Sequence, residues 1–274
     1  MPAENALAET AYAKINLALH VRRRREDGYH ELETAFAFVD AGDLLTVEAA
    51  QRDELRTVGE FSSQLNDPFN NIVAQALSLL PHGPGLKVTL DKRLPVAAGL
   101  GGGSADAGAV FRLIERRHGL PADWAERAAK LGADVPACVR SEACLGHGTG
   151  TELSPLENDL AGTPVLLVNP RIPLTTGPVF EAWDGMDRGP LPQGAASAIA
   201  YAGRNDLEQP ALSLCPIISD VLALLDRTGA KVSRMSGSGA TCFAFYKDDH
   251  DLRIADDMVR EEWGGWWTLA GHLR

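Results

Sequence analysis

The chain has 274 residues, 45% of them hydrophobic and 23% charged, enough to build one large globular unit or two modest domains. Its formal net charge of -11 argues against a nucleic-acid binder, which needs a basic footprint to release condensed counterions. The polar N-terminus lacks an apolar signal region and no apolar run approaches the roughly 20 residues that span a bilayer, so a soluble, cytoplasmic protein is expected.

In chain order, the first predicted element is a strand over 12–21. Ile15, Leu17, Leu19 and Val21 fall on one face, and Lys14, Asn16, Ala18 and His20 on the other. That second face turns either to solvent or to a cleft. Arg22, Arg23, Arg24 and Arg25 read either as a solvated hairpin tip or as a local attraction for an anionic substrate. Asp27-Gly28 is a turn signal, and Leu32, Thr34, Phe36 and Phe38 alternate on a return strand. Tyr29 and His30 after the turn are either plain loop residues or a ring and a hydrogen-bonding group for a base. Further strands are predicted over 44–48 and 86–90, with a helix over 70–80 between them.

A loop over 91–103 leads into a helix predicted from Ser104 to His118 and ended by Gly119; a second helix over 121–131 stops at Gly132. Gly99, Gly101, Gly102 and Gly103 let backbone approach an anion, and the N–H groups and positive dipole end of the helix point at what the loop holds. A polyphosphate suits that arrangement, although an ordinary loop with a serine N-cap would give the same letters. The loop ends Gly-Gly-Ser-Ala rather than Gly-Lys-Ser/Thr, so it is not a Walker A loop. Residues 91–98 separate it from the preceding strand, unlike a dinucleotide fingerprint. Asp134, in Gly132-Ala-Asp-Val-Pro136, is either a turn or N-cap residue or a general base oriented by a cation such as Lys14.

Composition shifts over 155–163, which suggests domains at 1–157 and 158–274. The second half reads as a strand over 164–169, a Gly/Pro/Ala-rich loop over 184–203 and helices over 206–214 and 217–228. A hairpin of strands over 231–235 and 242–246 follows, then a helix over 250–263 and a strand over 266–270. Strands and helices segregate rather than alternate regularly, an α+β pattern with a small α/β sandwich second. The Ser236-Gly-Ser-Gly239 turn is explained equally by hairpin chemistry and by a second phosphate-facing nest. Cys138, Cys144, Cys215 and Cys242 have no paired or metal-ligand spacing and are expected to be free thiols in a reducing compartment.

Lys14-Ile-Asn16, Leu94-Pro-x-x-x-Gly-Leu-Gly-Gly-Gly-Ser104 and Ser236-Gly-Ser-Gly-Ala240, in this order, resemble the three motifs of the GHMP kinase superfamily. Ala13-Lys-Ile-Asn-Leu17, Arg25-Glu-Asp-Gly-Tyr-His-Glu-Leu32, Gly132-Ala-Asp-Val-Pro136 and Asn205-Asp-Leu-Glu208 are similar to one family within it. That family acts on 4-(cytidine 5'-diphospho)-2-C-methyl-D-erythritol in the non-mevalonate isoprenoid pathway. Asp27-Gly-Tyr-His30 separates it from homoserine and mevalonate kinases. Lys14 and Asp134 together argue against a silent nucleotide- or sugar-sensing relative.

The resemblance implies a two-domain α+β GHMP kinase fold with the active site in the cleft between domains and a ferredoxin-like C-terminal domain. It implies ATP and Mg2+ as cofactors, a small-molecule substrate, no nucleic-acid or membrane partner, and a monomer or homodimer. Asp134 would accept the proton of the substrate 2-hydroxyl, and Lys14 would stabilise charge and orient Asp134. Pro95, Val96, Ala97, Ala98, Gly99, Leu100, Gly101, Gly102, Gly103, Ser104 and Ala105 would wrap the triphosphate, with Ser104 near Mg2+ and Asn70 on the adenine side. Tyr29 and Phe180 would sandwich cytosine, His30 would hydrogen-bond it, and Asn16 and Thr176 would contact substrate nearby. Two departures stand out: Val96-Ala97-Ala98 where many members carry more glycine, and the Gly/Pro-rich insertion over 184–203.

Overall fold

Two long strands carry the alternation seen in the sequence: β1 (Leu7–Arg24) and β2 (His30–Ala49). They pair through a tight turn in which Arg25 N–H donates to Tyr29 C=O and Gly28 N–H to Arg25 C=O. The strand predicted over 44–48 is the tail of β2, not an element of its own. Gly42 lets the backbone of β1 lie close, since a Cβ there would collide with the Ala11 carbonyl.

The computed structural model describes residues 7–65 and 71–274. By contact the chain forms two compact units. One takes Met1–Ala13, Gly42–Val96 and Gly101–Ser141; the other takes Lys14–Ala41, Ala97–Leu100 and Glu142–Arg274. A cut at 157/158 would give each domain one continuous segment. The compact units are built from three segments each, because β1, β2 and the glycine loop contribute to both.

In the first unit, β3 (Glu54–Val58) runs parallel to β4 (Leu86–Asp91), which pairs antiparallel with the end of β2, Leu45 opposite Leu90 and Val47 opposite Val88. β3 escapes sequence reading because its five residues are none of them buried and two are charged. Four helices follow in this unit: α1 (Ile72–Leu79), α2 (Gly102–His118), α3 (Trp124–Leu131) and α4 (Val135–Arg140). Asn71 caps α1, its Oδ1 accepting from Val73 N–H at 2.9 Å. Gly108 brings α4 against α2: a Cβ there would stand 2.5 Å from the Cys138 carbonyl. Arg112 of α2 then locks the approach, donating from Nη1 to Cys138 C=O at 2.6 Å and from Nη2 to Thr10 C=O at 2.7 Å.

In the second unit, β5 (Cys144–His147) and β6 (Glu152–Pro155) form a short hairpin on the first part of β2, with Phe36 opposite Cys144. A separate antiparallel sheet has the order β10-β7-β9-β8, from β7 (Pro164–Asn169), β8 (Val232–Met235), β9 (Cys242–Phe245) and β10 (Trp267–His272). Helices α5 (Thr176–Glu181), α6 (Ala196–Ala202), α7 (Glu208–Leu214), α8 (Ile217–Arg227) and α9 (Asp249–Glu262) complete it. The core joins Leu166 and Val168 of β7 to Ile218, Val221 and Leu225 of α8 and Leu252 and Val259 of α9, the expected sandwich. Leu19 and Val21 of β1 belong to the same core. Each such side chain contributes about 1.5–3 kcal/mol of burial.

The 184–203 segment, expected as a loop, contains α6 and is tied to β1. His20 Nδ1–H donates to Gly189 C=O at 3.1 Å, and its Nε2 accepts from Arg204 N–H at 3.2 Å. Burial, reinforced by the Arg204 charge, holds His20 below the usual histidine pKa and keeps it neutral for both bonds. The free cysteines are as expected, three buried and Cys144 half-buried. Among the described residues no helix is long and apolar enough to cross a membrane.

Candidate functional site

The polar face of β1 does not meet solvent: Lys14 is 4% exposed and Asn16 3%. Lys14 Nζ donates to Asn16 Oδ1 at 3.0 Å and stands 5.1 Å from the centre of the Phe36 ring. Asn16 Nδ2 donates to Thr34 Oγ1 at 2.7 Å, and that hydroxyl donates to Ala18 C=O at 2.7 Å. A buried polar chain of this kind fixes the Lys14 ammonium in place, because every broken link would leave a desolvated group.

Ser236 joins the three motifs. Its hydroxyl accepts from Asn16 N–H at 3.2 Å and donates to Gly99 C=O at 2.9 Å. Lys14 N–H donates to Leu100 C=O at 3.0 Å, and Thr241 N–H to Ala98 C=O at 3.2 Å. Gly99 has φ of +76°, and a Cβ on it would collide with the Ser236 carbonyl and lie 2.9 Å from that of Gly239. The Ser236 turn is therefore a mount for residues 97–100 as well as a hairpin connection. Asn205 Nδ2 holds it from beneath, donating to Met235 C=O and Gly237 C=O, each at 2.8 Å. Ala97 adopts φ of +52°, so the departure from glycine places a side chain in the left-handed region.

The helix after the loop begins two residues earlier than predicted. Gly101, at φ of +59°, is the N-cap, α2 starts at Gly102, and Ser104 is the third helical residue rather than the first. Low helix propensity hides such a start, since two glycines rarely open a helix. The free donors are thus the N–H groups of Gly102, Gly103 and Ser104, at the positive end of a 17-residue helix. Beneath Gly102 lies a buried ionic triad that sequence reading missed. Lys92 Nζ donates to Asp43 Oδ2 at 2.5 Å and to Asp106 Oδ2 at 2.8 Å, and a Cβ on Gly102 would be 3.1 Å from that nitrogen. No local spacing announces it, because its members come from three separate segments.

Asp134 occupies the N-cap position of α4, yet its side chain accepts no hydrogen bond from that helix. The loop that carries it runs beside the start of α2, where a Cβ on Gly132 would stand 3.8 Å from the Ser104 hydroxyl. Its carboxylate is thus in the same unit as the free N–H groups of Gly102 and Gly103.

The third cluster is aromatic. Tyr29 projects from the β1–β2 turn and is 66% exposed, whereas His30 is 8% exposed. The His30 ring lies 5.0 Å from that of Phe180 on α5 and 5.7 Å from that of Trp183, edge to face with the latter. Arg24 Nε donates to His30 Nε2 at 3.4 Å. Burial, then the Arg24 charge, holds His30 below the usual histidine pKa. Thr176 Oγ1 is 3.0 Å from Ser238 Oγ, so a predicted contact meets the Ser236 turn. Asn70 lies outside the described residues. The other arginines of the basic run are matched: Arg22 with Glu33 and Asp187, Arg23 with Glu31, Arg25 with Asp27. Among the described residues no three His, Cys, Asp or Glu side chains group to hold a metal ion.

Comparison with known proteins adds to this geometry. Residues 71–142 match the GHMP kinases N terminal domain, and residues 192–265 match GHMP kinases C terminal. The chain is 68% identical over 269 residues to a protein of Novosphingobium aromaticivorans named 4-diphosphocytidyl-2-C-methyl-D-erythritol kinase, covering 98% of this chain and 93% of that one. A protein of the same name from Erythrobacter litoralis is 61% identical over 272 residues, covering 98% and 100%. A crystal structure of 4-(cytidine 5'-diphospho)-2C-methyl-D-erythritol kinase superposes with a TM-score of 0.83 at 32% identity, covering 97% of this chain and 99% of that one. Homoserine kinase from Cytophaga hutchinsonii shares the fold, with a TM-score of 0.66 at 17% identity over 96% and 95% of the two chains.

Proposed function

The chain belongs to the 4-diphosphocytidyl-2-C-methyl-D-erythritol kinase family of GHMP kinases, and we propose that it carries out that family's reaction. The γ-phosphoryl group of ATP passes to the 2-hydroxyl of 4-(cytidine 5'-diphospho)-2-C-methyl-D-erythritol, a step toward isoprenoid precursors. The observation that carries the reading is the grouping of His30, Phe180 and Trp183 into one ring cluster, with the exposed Tyr29 next to His30 in the chain. A kinase for homoserine or mevalonate has no base to hold there. Both substrates are water-soluble, so the cytoplasm is the proposed compartment. The two family matches fall on either side of the 157/158 division proposed for the domains.

Phosphoryl transfer needs positioning and charge neutralisation more than covalent chemistry. Residues 95–105 cradle the triphosphate, and the N–H groups of Gly102, Gly103 and Ser104 meet its oxygens. Asp134 accepts the proton of the 2-hydroxyl as that oxygen forms its bond to the γ-phosphorus and the bond to ADP breaks. Lys14, held by Asn16, supplies positive charge to the transferring group. Asn16 and Thr176 line the alcohol, Tyr29 and Phe180 stack on cytosine, His30 bonds its edge, and Asn70 meets adenine. The Ser104 hydroxyl, an uncharged hard oxygen beside a helix start, fits as one ligand of Mg2+. Mg2+ held there would supply positive charge to offset that of the phosphate oxygens.

A coupled ADP-release assay, with and without Mg2+, tests the assignment. Turnover is expected with the cytidylyl substrate; turnover with homoserine or mevalonate in its place would overturn the reading. His30→Ala is expected to raise KM for the cytidylyl substrate about tenfold, the effect of one buried hydrogen bond and its stacking surface, with KM for ATP unchanged. A defect confined to ATP would contradict the role given to His30.

A further inference from the structure

His30 offers a base only what its tautomer allows. Arg24 Nε lies 3.4 Å from His30 Nε2, and a guanidinium has donors and no acceptor. Nε2 therefore carries the lone pair. Burial and the neighbouring Arg24 charge keep the ring neutral, which puts the single proton on Nδ1. Phe180 and Trp183 flank the ring at 5.0 and 5.7 Å, so it cannot turn over without displacing them. Nδ1 has no protein partner among the described residues and is not among the buried unpaired atoms, so it keeps access to solvent. The same guanidinium donates from Nη2 to Glu181 C=O at 3.2 Å, the residue after Phe180. One side chain thus spans the end of β1, the imidazole and the stacking helix α5. While Arg22, Arg23 and Arg25 face carboxylates, Arg24 turns to the base site.

Resting on the cytosine reading above, we propose that Arg24 is a specificity-determining residue: by donating to Nε2 it fixes His30 as the Nδ1–H tautomer, a donor that suits cytosine and repels uracil. Both bases carry the O2 acceptor, so the discrimination lies at N3, which in cytosine is unprotonated and accepts. Uracil presents N3–H, and a donor facing a donor leaves two desolvated groups unpaired. Without Arg24 the neutral imidazole populates both forms, and the Nε2–H form turns an acceptor toward the base.

The test combines spectroscopy and kinetics on the whole enzyme. Nitrogen NMR of 15N-histidine-labelled protein should place the His30 proton on Nδ1, and Arg24→Leu should give a mixture. If the competent form falls to a fifth or a tenth, KM for the cytidylyl substrate should rise about five- to tenfold. With kcat within about twofold, preference over the uridylyl analogue should shrink by at least as much, and Arg24→Lys should restore most of both. An unchanged tautomer in Arg24→Leu overturns the proposal, and so does a changed tautomer with unchanged base preference. If His30→Ala leaves KM unaltered, the cytosine reading itself falls; if His30→Ala raises KM and Arg24→Leu does not, the role of Arg24 alone falls.

Discussion

Replacing Asp134 by alanine should lower kcat by at least about 100-fold, the lower range for a positioned general base, while ATP still binds. The carboxylate sits where an N-cap residue would sit, yet it accepts nothing from the helix it precedes. Removing it therefore costs α4 little of the roughly 1 kcal/mol that a working cap contributes. α4 is also fixed from elsewhere, by its close approach to Gly108 and by Arg112. The fold should survive, which makes the variant a fair test of chemistry. Asp134→Asn should lose nearly as much, because it keeps the shape and not the basicity. ADP release under saturating substrates, together with calorimetric ATP binding, checks both halves. Near-normal turnover in either variant would remove Asp134 from the mechanism.

Lys92→Met should be the most damaging single substitution for stability. Its ammonium is the shared counter-ion of Asp43 and Asp106, and all three side chains are buried. Burial opposes the charge on Lys92, but the two carboxylates outweigh it and lift its pKa above the usual lysine value. Burial pushes the Asp106 carboxyl well above the usual range; the Lys92 charge opposes this and the Asp43 charge adds to it. Asp43 also accepts from the N–H groups of Arg93 at 2.5 Å and Leu94 at 2.8 Å, so it holds the entry to the glycine loop. Removing one partner of such a buried set leaves uncompensated charge, a loss of about 3–5 kcal/mol. At this chain length that lowers Tm by roughly 5–10 °C. Denaturant titration measures the loss, and ATP affinity should weaken because the triad lies under Gly102. A change below about 1 kcal/mol would reduce the triad to the standing of a surface pair.

Legibility in the sequence followed how local each cause was. β1 and β7 could be read because period-2 alternation and a short apolar run are local signals. α8 and α9 could be read because the i, i+3, i+4 pattern of an amphipathic helix is likewise local. The start of α2 could not, because the glycines that serve an anion are poor helix formers, and function there overrides propensity. β3, β5, β6, α5 and α6 are short, and their pairing or packing partners are distant in sequence. At the site, the glycine loop announced an anion by itself. Strand alternation alone left Lys14 facing solvent or a cleft; resemblance gave it a role, and its burial removes the solvent reading. Tyr29, His30 and Phe180 were brought together by resemblance to a family, Arg24 was legible only as part of the basic run, and Trp183 and the Lys92 triad had no sequence signal.

The Ser236 hydroxyl, wedged between the Asn16 amide and the Gly99 carbonyl, has a consequence for rebuilding the enzyme. Neither the glycine loop nor the late Ser-Gly-Ser-Gly turn is a portable cassette. Each is shaped by the other at a spacing that excludes even one methyl group on Gly99. A chimaera that borrows residues 97–100 from a relative must borrow 236–241 with them. Grafted singly, either segment would arrive without the surface that gives it its form.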